Sequence, residues 1–315
     1  MGDLNFNKHQ NDTDHITISD IANFLNTDFY GENLEIKGVA SLNNIENNKL
    51  TFSKGNLAKT CRCKALILVP LDFKYDKGSI CSFIKTTNPR LAFAKVLGEF
   101  FSDKELQGTH SSTIIGNNCV IDPTVSIGAN CYIGNNVKIA KNTVINNNVV
   151  LSNNVIIGHS CYIKSGSIIG EDGFGFDFEE NGTPVRIPHI GSVIIGNNVE
   201  IGAKNTIAMG TIDSTIIDNN VKIDDQVHIA HNCKIGKNTI ITAKAEISGS
   251  VSIGENCWIG PNSSIIQKVQ IGDNVTIGIG AIITKNIDSN KKIMGFESLE
   301  LRELIKVKKE IKYGK

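Results

Sequence analysis

An aliphatic residue returns at every sixth position through much of the second half of the chain. This period fits neither the roughly 3.6 residues per turn of an α-helix nor the alternation of a half-buried β-strand. It is typical of a hexapeptide-repeat β-helix, in which each hexad forms one side of a triangular coil. The members of this run are Ile217, Ile223, Ile229, Ile235, Ile241, Ile247, Ile253, Ile259, Ile265, Ile271, Ile277 and Ile283.

A run with the same period begins near Ser112 and ends at Ile169. One coil cannot bury its aliphatic residues alone, so we expect them to point inward and stack on their equivalents in neighbouring coils. Gly and Asn recur beside them and suit the corners of the coil. The members of this run are Ile115, Ile121, Ile127, Ile133, Ile139, Ile145, Leu151, Ile157, Ile163 and Ile169. A scaffold this regular carries function where its pattern is interrupted or decorated.

The pattern is interrupted twice. After Ile169 the next aliphatic residue of the repeat is Ile195, which lies 26 positions on, where a whole number of hexads gives 24. We therefore predict an inserted loop over residues 171–191, rich in Phe and Gly, that projects from the coil. A second slip lies between Ile207 and Ile217, ten positions apart, and predicts a small protrusion.

The segments on either side of the coil differ from it in composition. Residues 1–14 are polar and are predicted to be disordered. Residues 15–105 combine helical and strand-like segments and predict a small α/β domain. The coil is predicted over residues 110–288, and residues 289–315 are predicted to form a loop and a short helix. The predicted fold class is therefore mainly β.

Three helix starts are predicted from capping residues. Ser19 is the expected N-cap of a short helix, and Asn88 followed by Pro89 is expected to begin a second helix. Ser298 is the expected N-cap of the C-terminal helix.

Charge and composition exclude several classes of function. Lys plus Arg and Asp plus Glu number 32 each, so no basic field favours nucleic acid. The chain has no long apolar run and no signal-peptide pattern at its start, so we expect a cytoplasmic protein without a transmembrane segment.

Cysteine spacing argues against a metal site. Of the eight cysteines, Cys61 and Cys63 lack the CxxC spacing and a second pair of ligands. The cysteines within the coil occupy the small corner position of a hexad, where we expect them to pack; they are Cys119, Cys131, Cys161, Cys233 and Cys257.

His231 is the first candidate for chemistry. It lies two residues after the inward Ile229, in VHIAHNCKIG, so its side chain is expected on the outside of the coil. A neutral imidazole, with an ordinary pKa of about 6.5, can take a proton from an amine that attacks a thioester. A surface histidine without a chemical role explains the same position equally well.

His228 raises a metal alternative of the trimeric β-helix carbonic anhydrase kind. Zinc needs three protein ligands and an open position. His159 and His189 are expected to lie about one and a half to three coils away, so only ligation across subunits would complete such a site.

Gly249, in ISGSVSIG, is a candidate to present its backbone N–H to a thioester oxyanion. A coil-corner turn is the alternative explanation. The chain contains no glycine-rich phosphate loop between a strand and a helix.

Several motifs, in this order, resemble the UDP-3-O-(3-hydroxyacyl)glucosamine N-acyltransferases of lipid A synthesis, from about Ile16 to about Gly295. The motifs are GVAS (38–41), LTF (50–52), NPRLAFA (88–94), DGFGF (172–176), RIPHIGSVIIGNNVEIGA (186–203) and IAHNCKIG (229–236). The resemblance implies a left-handed parallel β-helix, and a homotrimer whose active sites lie between adjacent subunits.

The resemblance also implies roles for individual residues. His231 matches the catalytic base and Gly249 the oxyanion-binding glycine of that family. The implied reaction is attack of a nucleotide-sugar amine on an acyl thioester, with acyl-CoA or acyl carrier protein as co-substrate and no bound cofactor. The resemblance also implies that the N-terminal domain, residues 15–105, helps to bind the nucleotide. The implied substrate-binding residues are Phe52, Asn56, Asp172, Phe174, Phe176, His189 and Asn232.

Three departures from the family pattern concern substrate recognition. Ala208 and Met209 replace an Asp-Arg pair, Lys268 replaces a second active-site histidine, and SKGNLAKT follows LTF where the family has a tyrosine that contacts uracil. They favour a relative that acylates a dTDP- or UDP-linked amino sugar for O-antigen or another surface polysaccharide, with coenzyme A as the favoured carrier. The alternative is the lipid A enzyme with acyl carrier protein. Lesser alternatives are a non-catalytic scaffold and the carbonic anhydrase-like protein.

Overall fold

The structure is a computed structural model that describes residues 15–55, 63–74, 78–102, 108–295 and 301–313. The chain divides into two compact units, Met1–Lys104 and Glu105–Lys315. The predicted disorder of residues 1–14 lies outside the described residues.

The N-terminal unit contains a mixed four-stranded sheet and two α-helices. Its strands are Phe29–Tyr30, Leu50–Phe52, Leu66–Pro70 and Ser82–Thr86. Its helices are Ile18–Phe24 and Pro89–Val96, with a 3-10 turn at Leu42–Asn44 and a π-helical turn at Leu97–Phe101. The first strand pairs antiparallel with the fourth, and the remaining pairs are parallel. The predicted start of the second helix, with Asn88 as N-cap and Pro89 in the first turn, is confirmed.

The first helix begins one residue after Thr17, so the prediction of Ser19 as its N-cap is wrong. The Thr17 N–H donates to the Asp20 carboxylate at 2.8 Å, and the Asp20 N–H donates to the Thr17 hydroxyl at 3.4 Å. This reciprocal capping box satisfies backbone donors that the helix itself cannot pair. Ser19 therefore lies inside the first turn.

The second unit is a β-helix of parallel strands, most of them two residues long, which confirms the predicted fold class. Face 1 consists of Val120–Ile121, Lys138–Ile139, Ile156–Ile157, Ser192–Ile195, Ser214–Ile217, Lys234–Ile235, Ser252–Ile253 and Gln270–Ile271. Face 2 consists of Gly108–Thr109, Ser126–Ile127, Val144–Ile145, Tyr162–Ile163, Glu200–Ile201, Lys222–Ile223, Ile240–Ile241, Trp258–Ile259, Thr276–Ile277 and Lys292–Ile293. Face 3 consists of Ile114–Ile115, Tyr132–Ile133, Val150–Leu151, Ile168–Ile169, Thr206–Ile207, His228–Ile229, Glu246–Ile247, Ser264–Ile265 and Ile282–Ile283.

The isoleucines of the repeat form columns inside the coil. Ile229 pairs in register with Ile207 in one neighbouring coil and with Ile247 in the other. Backbone hydrogen bonds of 2.9 Å from Ala208 N to Ile229 O and from Ala230 N to Ile247 O hold this register. Burial of one such side chain contributes about 1.5–3 kcal/mol. The predicted inward stacking is confirmed.

The corners use compact residues, as predicted. Asn232 and Asn238 adopt left-handed backbone conformations with φ of 60° and 59°, which asparagine tolerates better than most residues. Cys233 is buried at a corner, where its thiol donates to the Ser248 carbonyl at 3.2 Å. Burial raises the pKa of this thiol to about 11. The packing role of the coil cysteines is confirmed for Cys131, Cys161, Cys233 and Cys257, and Cys119 is partly buried.

A helix over Leu301–Tyr313 follows the coil. Its predicted N-cap, Ser298, and the cysteine at position 61 lie outside the described residues. Within the described ranges, no helix combines the length and apolar character that crossing a membrane requires.

Two adjacent residues of face 2 provide an internal test of the stacked core. Ile241 points inward and is 0% exposed, whereas Ile240 points outward and is 36% exposed. We expect Ile241→Ala to lower the free energy of unfolding by about 2–5 kcal/mol, because it leaves a cavity. We expect Ile240→Ala to lower it by about 1 kcal/mol or less. Urea-induced unfolding followed by circular dichroism measures both; equal losses would contradict the inward column as the source of stability.

Candidate active site

Both interruptions of the coil occur at the corner between face 3 and face 1. The inserted loop follows the strand Ile168–Ile169, and the second slip follows the strand Thr206–Ile207. His231 and Gly249 occupy the same corner in the next two coils. Stacked strands lie about 4.7–4.9 Å apart, so residues distant in sequence form one continuous strip here. We name this strip the interrupted edge; it comprises the turns 171–191, 208–213, 230–233, 248–251 and 266–269.

The imidazole of His231 lies between two glycines of the interrupted edge. A Cβ on Gly249 would lie 2.7 Å from His231 Nε2, and a Cβ on Gly173 would lie 2.9 Å from His231 Cβ and Cδ2. Neither glycine has a left-handed φ. The close approach of the ring therefore requires glycine at these positions, and a coil-corner turn alone does not account for Gly249.

Asn232 and Thr211 orient the His231 ring. The Thr211 backbone N–H donates to Asn232 Oδ1 at 2.8 Å, and Asn232 Nδ2 lies 3.2 Å from His231 Nδ1. A backbone N–H can only donate, so the amide nitrogen of Asn232 faces the ring and donates to Nδ1. This contact favours the neutral tautomer of His231 that carries its proton on Nε2. Thr211 belongs to the second slip, a residue that the sequence analysis did not single out.

The surroundings of His231 favour its neutral form. Partial burial, and secondarily the neighbouring His189, lower the pKa of His231 from the ordinary value of about 6.5. The ring is therefore uncharged at pH 7 and can accept a proton.

Gly249 offers a backbone donor beside this ring. Its carbonyl accepts the Lys268 N–H at 2.9 Å, whereas its own N–H has no hydrogen-bond acceptor in the parts of the chain that the structure describes. An N–H in this position can donate to an oxygen that gains negative charge. The side chain of Lys268 is exposed on the same edge, two coils beyond His231.

His189, a substrate-binding residue implied by the family resemblance, lies against His231, although the count of coils placed it far away. The two ring centroids are 5.3 Å apart in an edge-to-face arrangement with an interplanar angle of 73°. The expected separation of about one and a half to three coils is wrong for His189, because the inserted loop folds back along the edge. His159 lies at a different corner, between face 1 and face 2.

The inserted loop carries the aromatic residues predicted to bind substrate. Phe174 is 85% exposed, and its ring centroid lies 4.9 Å from that of Phe176. The Arg186 guanidinium lies 4.9 Å from the Phe176 ring centroid, across the hairpin formed by Phe176–Phe178 and Pro184–Arg186. Asp172 is exposed at the start of the loop.

The two residues that replace the family's Asp-Arg pair are largely shielded from solvent. Ala208 is buried, and Met209 is partly buried against the columns of isoleucines. The Met209 N–H also donates to the Glu171 carbonyl at 3.0 Å, which ties the second slip to the start of the inserted loop.

The predicted nucleotide-binding residues belong to the other unit. Phe52 is partly buried there, and its ring centroid lies 5.0 Å from that of Phe93. Asn56 lies outside the described residues.

The metal alternative gains no support from the geometry. His228 is exposed on face 3, and its Nδ1 lies 2.9 Å from the Thr206 hydroxyl. Among the residues that the structure describes, no group of three His, Cys, Asp or Glu side chains could hold a metal ion.

Comparison with known proteins identifies the family. The model described as Bacterial transferase hexapeptide (six repeats) matches residues 112–147, 214–249 and 250–285. The UDP-3-O-acylglucosamine N-acyltransferase of Campylobacter lari is 46% identical over 236 residues, which cover 70% of this chain and 74% of that protein. The protein of the same name from Coxiella burnetii is 40% identical over 189 residues, 54% of this chain and 55% of its own length.

Two solved structures share the architecture. The UDP-N-acetylglucosamine O-acyltransferase of Moraxella catarrhalis gives a TM-score of 0.55 and 25% identity, covering 63% of this chain and 77% of that chain. The UDP-N-acetylglucosamine acyltransferase of Francisella novicida gives a TM-score of 0.53 and 28% identity, covering 57% and 63% respectively. The names of the two N-acyltransferase relatives match the predicted alternative better than the preferred surface-polysaccharide enzyme. This chain therefore belongs to the family of UDP-3-O-acylglucosamine N-acyltransferases and is itself an N-acyltransferase.

Proposed function

We propose that this protein transfers a 3-hydroxyacyl group from a thioester to the amine of UDP-3-O-acylglucosamine, a step of lipid A synthesis. The observation that carries the proposal is the neutral imidazole of His231, held between Gly173 and Gly249 at the interrupted edge. The names of the relatives supply the acceptor substrate.

The proposed reaction uses His231 as the base and Gly249 as the oxyanion donor. The amine nitrogen attacks the thioester carbonyl carbon and forms the N–C bond while the imidazole takes one amine proton. The carbonyl oxygen gains negative charge and accepts a hydrogen bond from the Gly249 N–H. The C–S bond then breaks, and the imidazolium returns the proton to the thiolate. The products are an amide and a free thiol.

Proton uptake is assigned to Nε2 of His231, because this nitrogen lies beside Gly249. Uptake there requires the tautomer with the proton on Nδ1, which the Asn232 amide disfavours. The contact of 3.2 Å is at the long end of the hydrogen-bond range, so it opposes this tautomer only weakly.

The names of the relatives support the lipid A acceptor, and Ala208 and Met209 add nothing in favour of a different amino sugar. The preference for a dTDP- or UDP-linked amino sugar of surface polysaccharide rested partly on these two residues. Ala208 is buried and Met209 is partly buried, and both side chains are apolar, so they provide no new polar contact for another sugar.

We also propose that the protein works in the cytoplasm as a homotrimer with active sites between subunits. Large apolar side chains are exposed on the interrupted edge itself: Phe174 is 85% exposed, and Ile190 and Ile212 are each 75% exposed. A neighbouring subunit and the acyl chain would cover such a surface. The thioester carrier is coenzyme A or acyl carrier protein.

Substrate identity is tested by offering acyl-CoA and acyl carrier protein thioesters with either UDP-3-O-acylglucosamine or a dTDP-amino-dideoxy sugar. We expect mass spectrometry to detect an N-acylated product only with UDP-3-O-acylglucosamine, the acceptor that appears in the names of both N-acyltransferase relatives. The carrier that gives product identifies the donor. Product from the dTDP sugar alone would overturn the proposed acceptor.

The role of His231 is tested by the substitution His231→Ala. Its matched control is His228→Ala, on the strand that leads directly into the turn of His231. Loss of the base is expected to lower kcat/KM by about 10²- to 10⁴-fold. The control removes an exposed imidazole three residues away and is expected to change kcat/KM by less than about twofold, within the effect of a surface substitution. Thiol release measures both rates, and unchanged turnover in His231→Ala would refute the base assignment.

Asn232→Asp tests the electrostatic setting of the base. A carboxylate beside Nδ1 favours the imidazolium, so the pKa of His231 should rise. The active base is neutral, so the acid limb of the kcat/KM profile should move to higher pH and activity below neutrality should fall. Asn238→Asp adds the same charge at an equivalent left-handed corner, and we expect it to leave the limb in place. If Asn232→Asp left the acid limb of the kcat/KM profile at the same pH, His231 would be excluded as the group whose titration produces that limb.

A further inference from the structure

One buried nitrogen at the interrupted edge lacks a hydrogen-bond partner. His189 is 7% exposed, and its Nε2 has no partner in the structure. Its other nitrogen, Nδ1, lies 3.1 Å from the Ile187 carbonyl oxygen. A carbonyl can only accept, so Nδ1 carries the proton of the neutral ring and Nε2 carries the lone pair. His189 therefore presents a fixed acceptor, not a donor.

An unpaired buried acceptor is unfavourable, and native proteins contain few of them. In the described parts of the chain, the other buried side-chain atom without a partner is the Thr215 hydroxyl, on a strand of face 1. The two cases differ in their surroundings, because His189 packs edge-to-face against the ring of His231. Its orphaned lone pair is thus located beside the candidate base.

The inserted loop is shaped around this ring. A Cβ on Gly173 would lie 2.8 Å from His189 Nε2, and a Cβ on Gly175 would lie 3.0 Å from His189 Cε1. Neither glycine has a left-handed φ, so backbone conformation does not explain why glycine occurs here. Both glycines of DGFGF instead lack the Cβ that would collide with the imidazole of His189. Gly173 is therefore next to Nε2, and a donor from a ligand can reach the buried lone pair only if this short segment shifts.

We propose that His189 Nε2 accepts a hydrogen bond from the attacking amine of the acceptor sugar and thereby orients it. An amine has two N–H bonds and one lone pair. With one N–H directed at His231 and the other at His189, the amine lone pair is left to point at the thioester carbonyl. His189 is then a positioning residue: it takes no proton, and it makes the amine preferable to a hydroxyl, which has a single hydrogen to donate. The inference rests on the proposed acyl transfer to an amine.

The test compares His189→Leu, which removes the acceptor at similar volume, with His189→Gln, which keeps an acceptor oxygen. We expect His189→Leu to lower kcat/KM for UDP-3-O-acylglucosamine by about 5- to 150-fold, the equivalent of about 1–3 kcal/mol for an unpaired polar group. The Gln variant should recover most of this loss, and the KM of the thioester should stay unchanged. The melting temperature of His189→Leu should be unchanged or higher, because an unsatisfied buried acceptor has been removed. Thr215→Val, which removes the other orphaned atom, should leave kcat/KM unchanged.

A binding measurement separates amine positioning from a general loss of activity. Calorimetry without thioester compares UDP-3-O-acylglucosamine with its hydroxyl analogue, UDP-3-O-acylglucose. We expect the wild-type protein to prefer the amine and His189→Leu to lose that preference. A lowered melting temperature together with lost activity would assign His189 a structural role and overturn the inference, as would wild-type kinetics in His189→Leu. If the wild-type protein fails to acylate UDP-3-O-acylglucosamine, the proposed function fails and the inference fails with it.

Discussion

The register between stacked coils is the constraint on which the rest of this structure depends. Each inward isoleucine pairs with its equivalent in the next coil, so an extra residue within a strand would turn a whole hydrophobic column outward. Extra residues are tolerated only at the corners, where the chain leaves one face and has not yet joined the next. The inserted loop obeys this rule: Ile157 still pairs with Ile195 across it, and Ile169 still pairs with Ile207. Both interruptions use one corner, so the chemistry of the coil is concentrated along a single edge.

Stacking also explains how small residues position the candidate base. The His231 ring is fixed by contacts from the coils on either side and from the loop: Gly249 and Gly173 border it, and Thr211 acts on it through Asn232. Glycine on two sides leaves the ring partly open, and partial burial together with the adjacent His189 favours its neutral form. A rigid frame holds the base and the backbone donor in place before the substrate reacts. The site then needs no reorganisation during the reaction, and this preorganisation is a large part of electrostatic catalysis.

The period of the sequence predicts the coil, the inward columns and the two interruptions, because each of these is a repeated property of single positions. It cannot predict what the inserted loop touches, since the loop has no period and its path depends on side-chain contacts. His189 is the clearest case: counting coils places it far from His231, whereas the return path of the loop brings the two rings together. Thr211 was missed because nothing in its sequence neighbourhood marks a backbone donor to Asn232. Thr17 and Ser19 are both residue types that commonly cap helices. Thr17 is the N-cap because it forms a reciprocal capping box with Asp20, three residues later.

A site of this kind is unfavourable for stability, and the repeat architecture explains why it is tolerated. A buried acceptor without a donor costs about 1–3 kcal/mol, a large fraction of the roughly 5–15 kcal/mol that stabilises a small globular domain. In a β-helix each coil interacts with its immediate neighbours, and stability is close to a sum over coils and their interfaces. The unfavourable contacts at the interrupted edge are therefore local to a few coils, whose isoleucine columns remain intact beneath them. The columns lie inside the coil, whereas the unpaired acceptor of His189 lies at a corner. The residues that stabilise the fold are therefore separate from those that would bind the substrate, and the corner can be remodelled without disturbing the register of the strands.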